Sequence, residues 1–216
     1  MRQILVYSDS LSWGIIPNTR KRLAFEVRWP GVLEIELISK GHKVRIIEDC
    51  LNGRRTVWDD PFKPGRNGLS GLAQRVEIHS PLELVILMLG TNDLQSVHQH
   101  TPWNSSQGIA ALVVAIRTAP IEPGMPVPPV LVVAPPPIST LKGPLAPKFE
   151  GAGQKSLGLA AAYGKVCKEL GCDFFDAGSV ATSSRADGIH LDVDQHEKLG
   201  KALSAVVAPL LAKNVS

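Results

Sequence analysis

A chain of 216 residues is long enough for one α/β domain with a full hydrophobic core, so we expect residues 1–216 to form a single domain. The net charge is only +3, and the basic residues are scattered apart from Arg20-Lys21-Arg22 and Arg54-Arg55. Two short clusters do not form a nucleic-acid-binding stripe, and the first is typical of a solvated loop. No window approaches the roughly 20 apolar residues of a membrane span, and the apolar run after Met1 is too short for a signal peptide.

The cysteines and histidines show no metal-binding or disulfide pattern. Cys50, Cys167 and Cys172 are odd in number and lack CxxC spacing, which indicates buried thiols in a reducing compartment. The histidines form no zinc-binding pair at helical spacing, and neither a dinucleotide-binding glycine pattern nor a phosphate loop occurs. We therefore expect a cytoplasmic protein without a metal or cofactor and without a nucleic-acid or membrane partner.

The first predicted strand ends in a polar cluster. The apolar residues 4–7 stop abruptly at Ser8-Asp9-Ser10, a pattern typical of a strand that passes into a turn or a helix start. Ligands of open parallel sheets bind beyond the carboxyl ends of the strands, so Ser10 is expected where such folds keep their active sites. The alternative is that Asp9 and Ser10 only cap a helix.

The next segments alternate between helix and strand. Apolar spacing predicts a loop over 13–25, a helix over 29–40 that ends at Gly41, and a strand over 43–47 that leads to Asn52-Gly53. Residues 59–71 have loop composition. The nearly continuous apolar run 82–89 predicts a strand buried on both faces of a parallel sheet, and it ends at Gly90-Thr91-Asn92-Asp93.

The second half of the chain continues the alternation. We predict a helix over 105–118, a proline-rich linker over 120–129, a strand over 130–133, a helix over 154–170 and a strand over 172–175. Residues 138–151 have too many Pro and Gly for regular structure and predict a lid or binding loop. Asp192 and Gln195 have capping-box spacing before a final helix. This order predicts a doubly wound, five-stranded parallel sheet with helices on both faces.

Polar clusters after the strands and in the last loop supply the groups that acyl transfer requires. Ser10 is the candidate nucleophile, His190 the base and Asp187 the residue that orients the base, because Asp-x-x-His can fold back within one turn. The candidate oxyanion-hole donors are the backbone N–H groups of Ser10 and Gly53 and the side-chain amide of Asn92.

Each of these residues also has a structural interpretation. Asn52-Gly53 and Asp187-Gly188 are common turn pairs, Asn92 is a possible helix cap, and a lone His190 is often a packed or surface histidine. Their joint placement at strand ends favours the catalytic interpretation. No Gly-x-Ser-x-Gly elbow occurs, which disfavours an ordinary α/β-hydrolase.

Over essentially its whole length the chain resembles the SGNH (GDSL-type) hydrolases, and within them the aryl-esterase and acyltransferase subgroup. The matching blocks are Ser8 to Gly14, Leu51 to Arg54, Met88 to Asp93, and Asp187 to His190, although the family usually has Gly where this chain has Ser8. The resemblance implies a flavodoxin-like three-layer α/β/α sandwich and ester hydrolysis through a Ser10 acyl-enzyme. It also implies possible acyl transfer to alcohols or hydrogen peroxide, a small-molecule ester substrate and a homo-oligomer.

The substrate pocket and the ester are less closely defined. We expect the pocket to be lined by Asp9, Leu11, Trp13, Asn52, Phe149 and Ile189. The same triad would also serve a carbohydrate acetylesterase or a thioesterase. A binding module that holds a nucleotide or flavin on a flavodoxin-like fold is the non-enzyme alternative, and the missing phosphate loops disfavour it.

Overall fold

The computed structural model describes residues 1–213 and contains one sheet of five parallel strands. The strands are β1 (Arg2–Ser8), β2 (Val44–Cys50), β3 (Leu84–Met88), β4 (Val130–Ala134) and β5 (Asp173–Asp176). Their spatial order is β2-β1-β3-β4-β5, and every neighbouring pair is parallel. The predicted five-stranded parallel sheet is therefore confirmed, and the order reverses at β1, where a ligand crevice is expected beside its carboxyl end.

The helices account for the layers on either side of this sheet. They are α1 (Ser10–Trp13), α2 (Trp29–Ser39), α3 (Leu72–His79), α4 (Pro102–Arg117), α5 (Ala152–Ser156), α6 (Leu159–Leu170) and α7 (Val193–Lys213). Three 3₁₀ helices occupy Thr91–Leu94, Gly143–Phe149 and Ala177–Ser179. Among residues 1–213, none of the helices has the combined length and apolar character that a bilayer span requires.

Two hydrophobic cores lie on opposite faces of the sheet. Side chains of a strand alternate between faces, so Leu5 and Tyr7 of β1 pack in the core with α3, α4 and α6. Ile4 and Val6 pack in the other core, with α2 and α7. Every residue of β3 is buried, as expected for a central strand covered on both faces. The result is the predicted three-layer α/β/α sandwich.

The structure corrects four local predictions. The helix predicted over 154–170 is broken between α5 and α6, where Gly158 N–H donates to Lys155 in a tight turn packed against Pro102. Residues 138–151 are not wholly irregular, because they include the Gly143–Phe149 3₁₀ helix. Helix α4 begins three residues early, since Thr101 forms a capping box with Asn104 and proline is favoured in a first turn.

The fourth correction concerns the capping box predicted before α7. The Asp192 carboxylate accepts the Ser184 hydroxyl at 2.8 Å, and the Gln195 side-chain oxygen accepts the Thr182 N–H at 2.9 Å. Both side chains therefore bind the preceding loop rather than each other. This loop leads directly into the Asp187–His190 turn.

A buried chain of hydroxyl groups explains how Ser8 is accommodated where the family usually has glycine. Trp29 Nε1 donates to Ser12 Oγ at 3.0 Å, Ser12 Oγ donates to Ser8 Oγ at 2.5 Å, and Ser8 Oγ donates to the Met88 carbonyl at 2.6 Å. These bonds connect α2, α1, β1 and β3 beneath the candidate nucleophile. The backbone of Ser8 lies in a strand, so it does not need the conformational freedom of glycine.

We expect Ser8→Ala to lower the free energy of unfolding by about 1–3 kcal/mol, because it breaks two hydrogen bonds in a buried network. Urea denaturation measures the change. Ser39→Ala is the matched control, since Ser39 is exposed and its hydroxyl donates to the Glu36 carbonyl of its own helix. Equal urea midpoints for the two variants would show that these buried hydroxyl hydrogen bonds do not stabilise the fold.

Candidate active site

The turn after β1 presents Ser10 at the start of α1. The Asp9 carboxylate caps α1 by accepting the Leu11 N–H at 2.9 Å, and Gly14 ends the helix in a left-handed conformation. Ser10 is 8% exposed, so its hydroxyl lies at the bottom of a pocket rather than on an open surface. The capping interpretation of Asp9 is thus correct, and the cap is also what positions Ser10.

The structure brings Ser10, His190 and Asp187 together. His190 Nε2 lies 3.2 Å from Ser10 Oγ, and His190 Nδ1 lies 2.7 Å from Asp187 Oδ2. All three residues are buried. This is the order of contacts that lets a carboxylate fix the imidazole while the far ring nitrogen takes a proton from a serine.

The Asp187–His190 turn is held rigidly by its own backbone. Asp187 Oδ1 accepts the N–H groups of Ile189 at 2.8 Å and His190 at 3.0 Å. Gly188 has φ of 81°, and a Cβ atom there would lie 2.5 Å from the Thr140 carbonyl oxygen. Only glycine fits this close approach, so the turn depends on Gly188 as much as on the two catalytic candidates.

The electrostatics of Asp187 favour its ionised form. Burial raises the pKa of this carboxyl, but the hydrogen bond and charge of His190 and the backbone donors outweigh burial and bring the pKa below its ordinary value. Asp187 is therefore a carboxylate at neutral pH. An anionic partner at Nδ1 keeps the Nε2 atom of His190 available as a proton acceptor toward Ser10.

Two backbone N–H groups are available as oxyanion donors. Ser10 and Gly53 line the same cavity as His190, and neither backbone N–H donates a hydrogen bond to another group of residues 1–213. Gly53 has φ of 86°, which lets the turn after β2 approach Ser10 in a conformation that other residues rarely adopt. Both residues of the predicted backbone donors therefore border the cavity that contains Ser10.

The third predicted donor, Asn92, is already engaged. It lines the cavity, but its amide nitrogen donates to Asp9 Oδ2 at 2.9 Å and to the Arg54 carbonyl at 3.1 Å. A side-chain amide carries only two hydrogens. Asn92 can therefore contact an oxyanion only by sharing or exchanging one of these bonds.

Asp9 lies beneath the site as a buried carboxyl group. Burial raises its pKa from 3.8 to about 6, although its bonds from Leu11 and Asn92 and the nearby charges of His190 and Arg54 oppose the shift. Asp9 is thus partly protonated in mildly acidic solution, where its bond from Asn92 is weakened. Its role in this structure is to hold the strand-end loops, not to line the pocket.

This shift predicts a pH-dependent contribution to stability. Because the folded carboxyl has the higher pKa, between pH 4 and pH 6 the native state binds a proton that the unfolded state has released. The stability of the wild type relative to Asp9→Asn should therefore fall by about 3 kcal/mol or less as pH rises through this window. Urea denaturation at a series of pH values measures it, with Asp173→Asn, an exposed site, as control. A stability difference between the wild type and Asp9→Asn that stays constant, or that grows in favour of the wild type as pH rises, would contradict the raised pKa of Asp9.

The predicted pocket residues fall into two groups. Asn52, Phe149 and Ile189 line the cavity of Ser10. Asp9, Leu11 and Trp13 do not, and these three predictions are corrected. The side chain of Leu11 packs into the core beneath α2 because α1 turns it toward the sheet, and Trp13 stacks with Arg22, whose Cζ lies 4.8 Å from its ring centroid.

Sequence analysis missed several residues that border the catalytic candidates. Ile15, Arg20, Lys63, Leu145 and Lys148 all line the cavity that contains Ser10. Arg20 belongs to the cluster that was interpreted as a solvated loop; it is indeed exposed, but it lies at the pocket. The proline-rich segment 138–151 was the one available signal, since it contributes Leu145, Lys148 and Phe149.

Comparison with known proteins agrees with this geometry. The sequence profile described as the GDSL-like lipase/acylhydrolase family matches residues 9–198, from the turn before Ser10 to beyond His190. The chain belongs to this family. The GDSL-like assignment accounts for the fold and for the position of Ser10 directly after β1. A comparison with curated protein sequences finds no match.

Solved structures of two esterases and of a lipase/acylhydrolase resemble the chain. The native aryl esterase of M. smegmatis is 39% identical with a TM-score of 0.92, and the match covers 97% of this chain and 100% of that one. A carbohydrate acetylesterase from Sinorhizobium meliloti is 36% identical with the same TM-score and the same coverage. The lipase/acylhydrolase from Enterococcus faecalis, at 16% identity, TM-score 0.70 and coverage of 97% and 96%, shares the fold. The chain is a carboxylic-ester hydrolase of the GDSL-like family.

Proposed function

We propose that the protein is a serine esterase that hydrolyses short-chain acyl esters, including aryl esters, with Ser10, His190 and Asp187 as its catalytic triad. The observation that carries the proposal is the continuous set of contacts from Asp187 Oδ2 through the imidazole of His190 to Ser10 Oγ. A histidine with a carboxylate partner on one ring nitrogen and a hydroxyl on the other is arranged for general-base activation of that hydroxyl.

The chemistry follows from these positions. His190 Nε2 takes the Ser10 proton as Oγ bonds to the ester carbonyl carbon, and the carbonyl oxygen becomes an oxyanion beside the N–H groups of Ser10 and Gly53. When the ester C–O bond breaks, His190 returns that proton to the departing alkoxide. Water then loses a proton to His190 and attacks the acyl carbon, and His190 returns that proton to Ser10 Oγ as the bond from Oγ to the acyl carbon breaks, which releases the acid and the free enzyme.

The dimensions of the site favour a small acyl group. The cavity that contains Ser10 has a volume of about 80 Å³. A larger cavity of about 220 Å³ adjoins it and shares four residues as walls, Ile15, Arg20, Leu145 and His190. His190 protonates the leaving alcohol, so this larger and mainly apolar space is suited to an aryl leaving group.

The test of this function is covalent labelling combined with turnover. A fluorophosphonate should modify the protein once, and peptide mass mapping should place the label on Ser10. para-Nitrophenyl acetate should be hydrolysed, and prior labelling should remove that activity. Labelling at another residue, or activity that survives complete labelling of Ser10, would contradict the assignment.

Acyl transfer is part of the proposal. An acyl-enzyme shielded by Phe149, Ile189 and Leu145 can be attacked by an alcohol or by hydrogen peroxide in place of water. Product analysis in aqueous methanol measures the partition: methyl acetate in excess of the methanol mole fraction supports transfer, and acetate in proportion to water contradicts it.

A carbohydrate acetylesterase is the second candidate, favoured by one feature of the pocket. The Asn52 Oδ1 atom is buried, has no hydrogen-bond partner and belongs to a residue that lines the cavity of Ser10. A sugar hydroxyl would satisfy this acceptor, whereas an aryl group would not. Rates on acetylated xylan, an aryl acetate and an acyl-CoA thioester, compared at equal concentration, decide between the candidates.

We further propose a homo-oligomer. Phe62, Trp103 and Leu157 are 82%, 65% and 61% exposed, and a contact between copies of the chain would remove these large apolar side chains from water. Light scattering across a concentration series tests this, and a monomer at every concentration would contradict it. The cytoplasmic location that the cysteine pattern indicates stays a prediction.

A further inference from the structure

Three cationic side chains from three separate loops meet at the cavity that contains Ser10. Arg20 comes from the loop between α1 and α2, Lys63 from the loop between β2 and α3, and Lys148 from the Gly143–Phe149 helix. Arg66 lies beside them, with its Nε donating to the Asn52 carbonyl at 3.0 Å. Segments that are distant in sequence therefore place positive charge at the entrance of the Ser10 cavity.

These cations are poorly neutralised by the protein. Within residues 1–213, Arg20 and Lys63 form no salt bridge, and Lys148 reaches only Asp60 Oδ2, at 3.9 Å. Asp60 is itself buried and already paired with Arg55 at 3.2 Å. One carboxylate thus faces a group of cations, so this entrance carries an excess of positive charge that a bound anion would balance.

The mutual repulsion is visible in the lysines themselves. Burial and neighbouring cations lower the pKa values of both Lys63 and Lys148, and for Lys148 they outweigh the opposing charge of Asp60. A bound anion would relieve this repulsion and would be attracted into the cleft before contact. A neutral aryl acetate offers no such partner.

We infer that the preferred esters of this enzyme carry an anionic group, a carboxylate, sulfate or phosphate, that Lys63, Lys148 and Arg20 bind while the ester carbonyl lies at Ser10. This inference rests on the proposed esterase function and names its substrate class. Cations that only stabilised the oxyanion would accelerate neutral and anionic esters alike. The quantity that distinguishes the two roles is therefore the ratio of kcat/KM for an anionic ester to kcat/KM for a neutral ester of the same shape.

The test compares para-acetoxybenzoate with para-acetoxybenzamide, which differ in charge but hardly in shape. Each kcat/KM is divided by the alkaline hydrolysis rate of the same ester, which removes the difference in leaving-group reactivity. The wild type should favour the anionic ester by about tenfold, and about 0.5 M salt should largely remove the preference. para-Acetoxybenzenesulfonate and para-acetoxyphenyl phosphate show which anion is preferred.

Charge-removing variants locate the effect. The double variant Lys63→Gln, Lys148→Gln should lose most of the preference, so that the ratio of its normalised kcat/KM values on the anionic and the neutral ester approaches one. The double variant Lys43→Gln, Lys168→Gln is the matched control, because it removes the same two charges from exposed lysines at the amino-terminal end of the sheet, one just before β2 and one in the last turn of α6. It should leave the ratio unchanged.

A second pair of esters tests whether the anionic group is preferred on the acyl side. Mono-para-nitrophenyl succinate carries a carboxylate on its acyl chain, and para-nitrophenyl butanoate is its neutral counterpart. Absence of an anionic preference in the wild type on both sides, or a preference that the double variant retains, would overturn the inference while the esterase function stands. Failure of the wild type to hydrolyse any of these esters would instead overturn the proposed function, and the inference with it.

Discussion

Replacing Ser10 with alanine is expected to lower kcat for para-nitrophenyl acetate by at least about a thousandfold, because no acyl-enzyme can form without Oγ. The oxyanion donors and the pocket remain, so a residual rate above the uncatalysed reaction is expected. Steady-state kinetics on purified protein measure the loss. The folded state should be unchanged, since within residues 1–213 the one hydrogen bond of the Ser10 hydroxyl is with His190.

Ser70→Ala is the matched control for this experiment. Ser70 is an exposed serine outside the cavity, and its removal should leave kcat and KM as in the wild type. Unfolding midpoints of both variants should agree with the wild type. A Ser10→Ala enzyme that retains more than a few per cent of turnover would exclude Ser10 as the nucleophile.

The second large effect is expected from Asp187→Asn. The asparagine oxygen can still accept the N–H groups of Ile189 and His190, so the turn is retained. Its NH₂ group then faces His190 Nδ1, which must become an acceptor, and the ring proton moves to Nε2. That nitrogen can no longer take the proton of Ser10, and kcat should fall by about a thousandfold to ten-thousandfold.

Two measurements distinguish this loss of kcat from partial unfolding of the Asp187→Asn variant. The rate of fluorophosphonate labelling at Ser10 should fall in parallel with kcat, while the unfolding midpoint changes little. Asp59→Asn, at an exposed carboxylate, should alter neither. Wild-type labelling kinetics in Asp187→Asn would show that Asp187 does not orient the base.

The sequence was most informative about features that are determined by residues adjacent in the chain. The abrupt change from apolar residues to Ser8-Asp9-Ser10, and the short Asp187-to-His190 spacing, were enough to predict a strand-end serine and a paired histidine. Both features depend on neighbouring residues in the chain. The all-apolar β3 likewise identified the centre of the sheet, because burial on both faces leaves no room for polar residues.

The rest depends on contacts between distant segments. Nothing local in Arg20, Lys63 or Lys148 distinguishes a solvated loop from a pocket entrance, since only the folded path of three loops brings them together. The engagement of Asn92 by Asp9 and Arg54 requires the ends of three strands to meet. Leu11 was misassigned because successive residues of a helix are rotated by about 100°, so that Leu11 faces the core while Ser10 faces the pocket.

The separation of Ser10 and His190 by 180 positions has a consequence for synthesis. Ser10 leaves the ribosome 180 residues before His190, and His190 is followed by α7, which covers one face of the sheet. A nascent chain that has completed β1 to β4 therefore holds Ser10 without its proposed base. Hydrolysis by this triad can begin only after His190 and α7 have emerged and packed against the sheet.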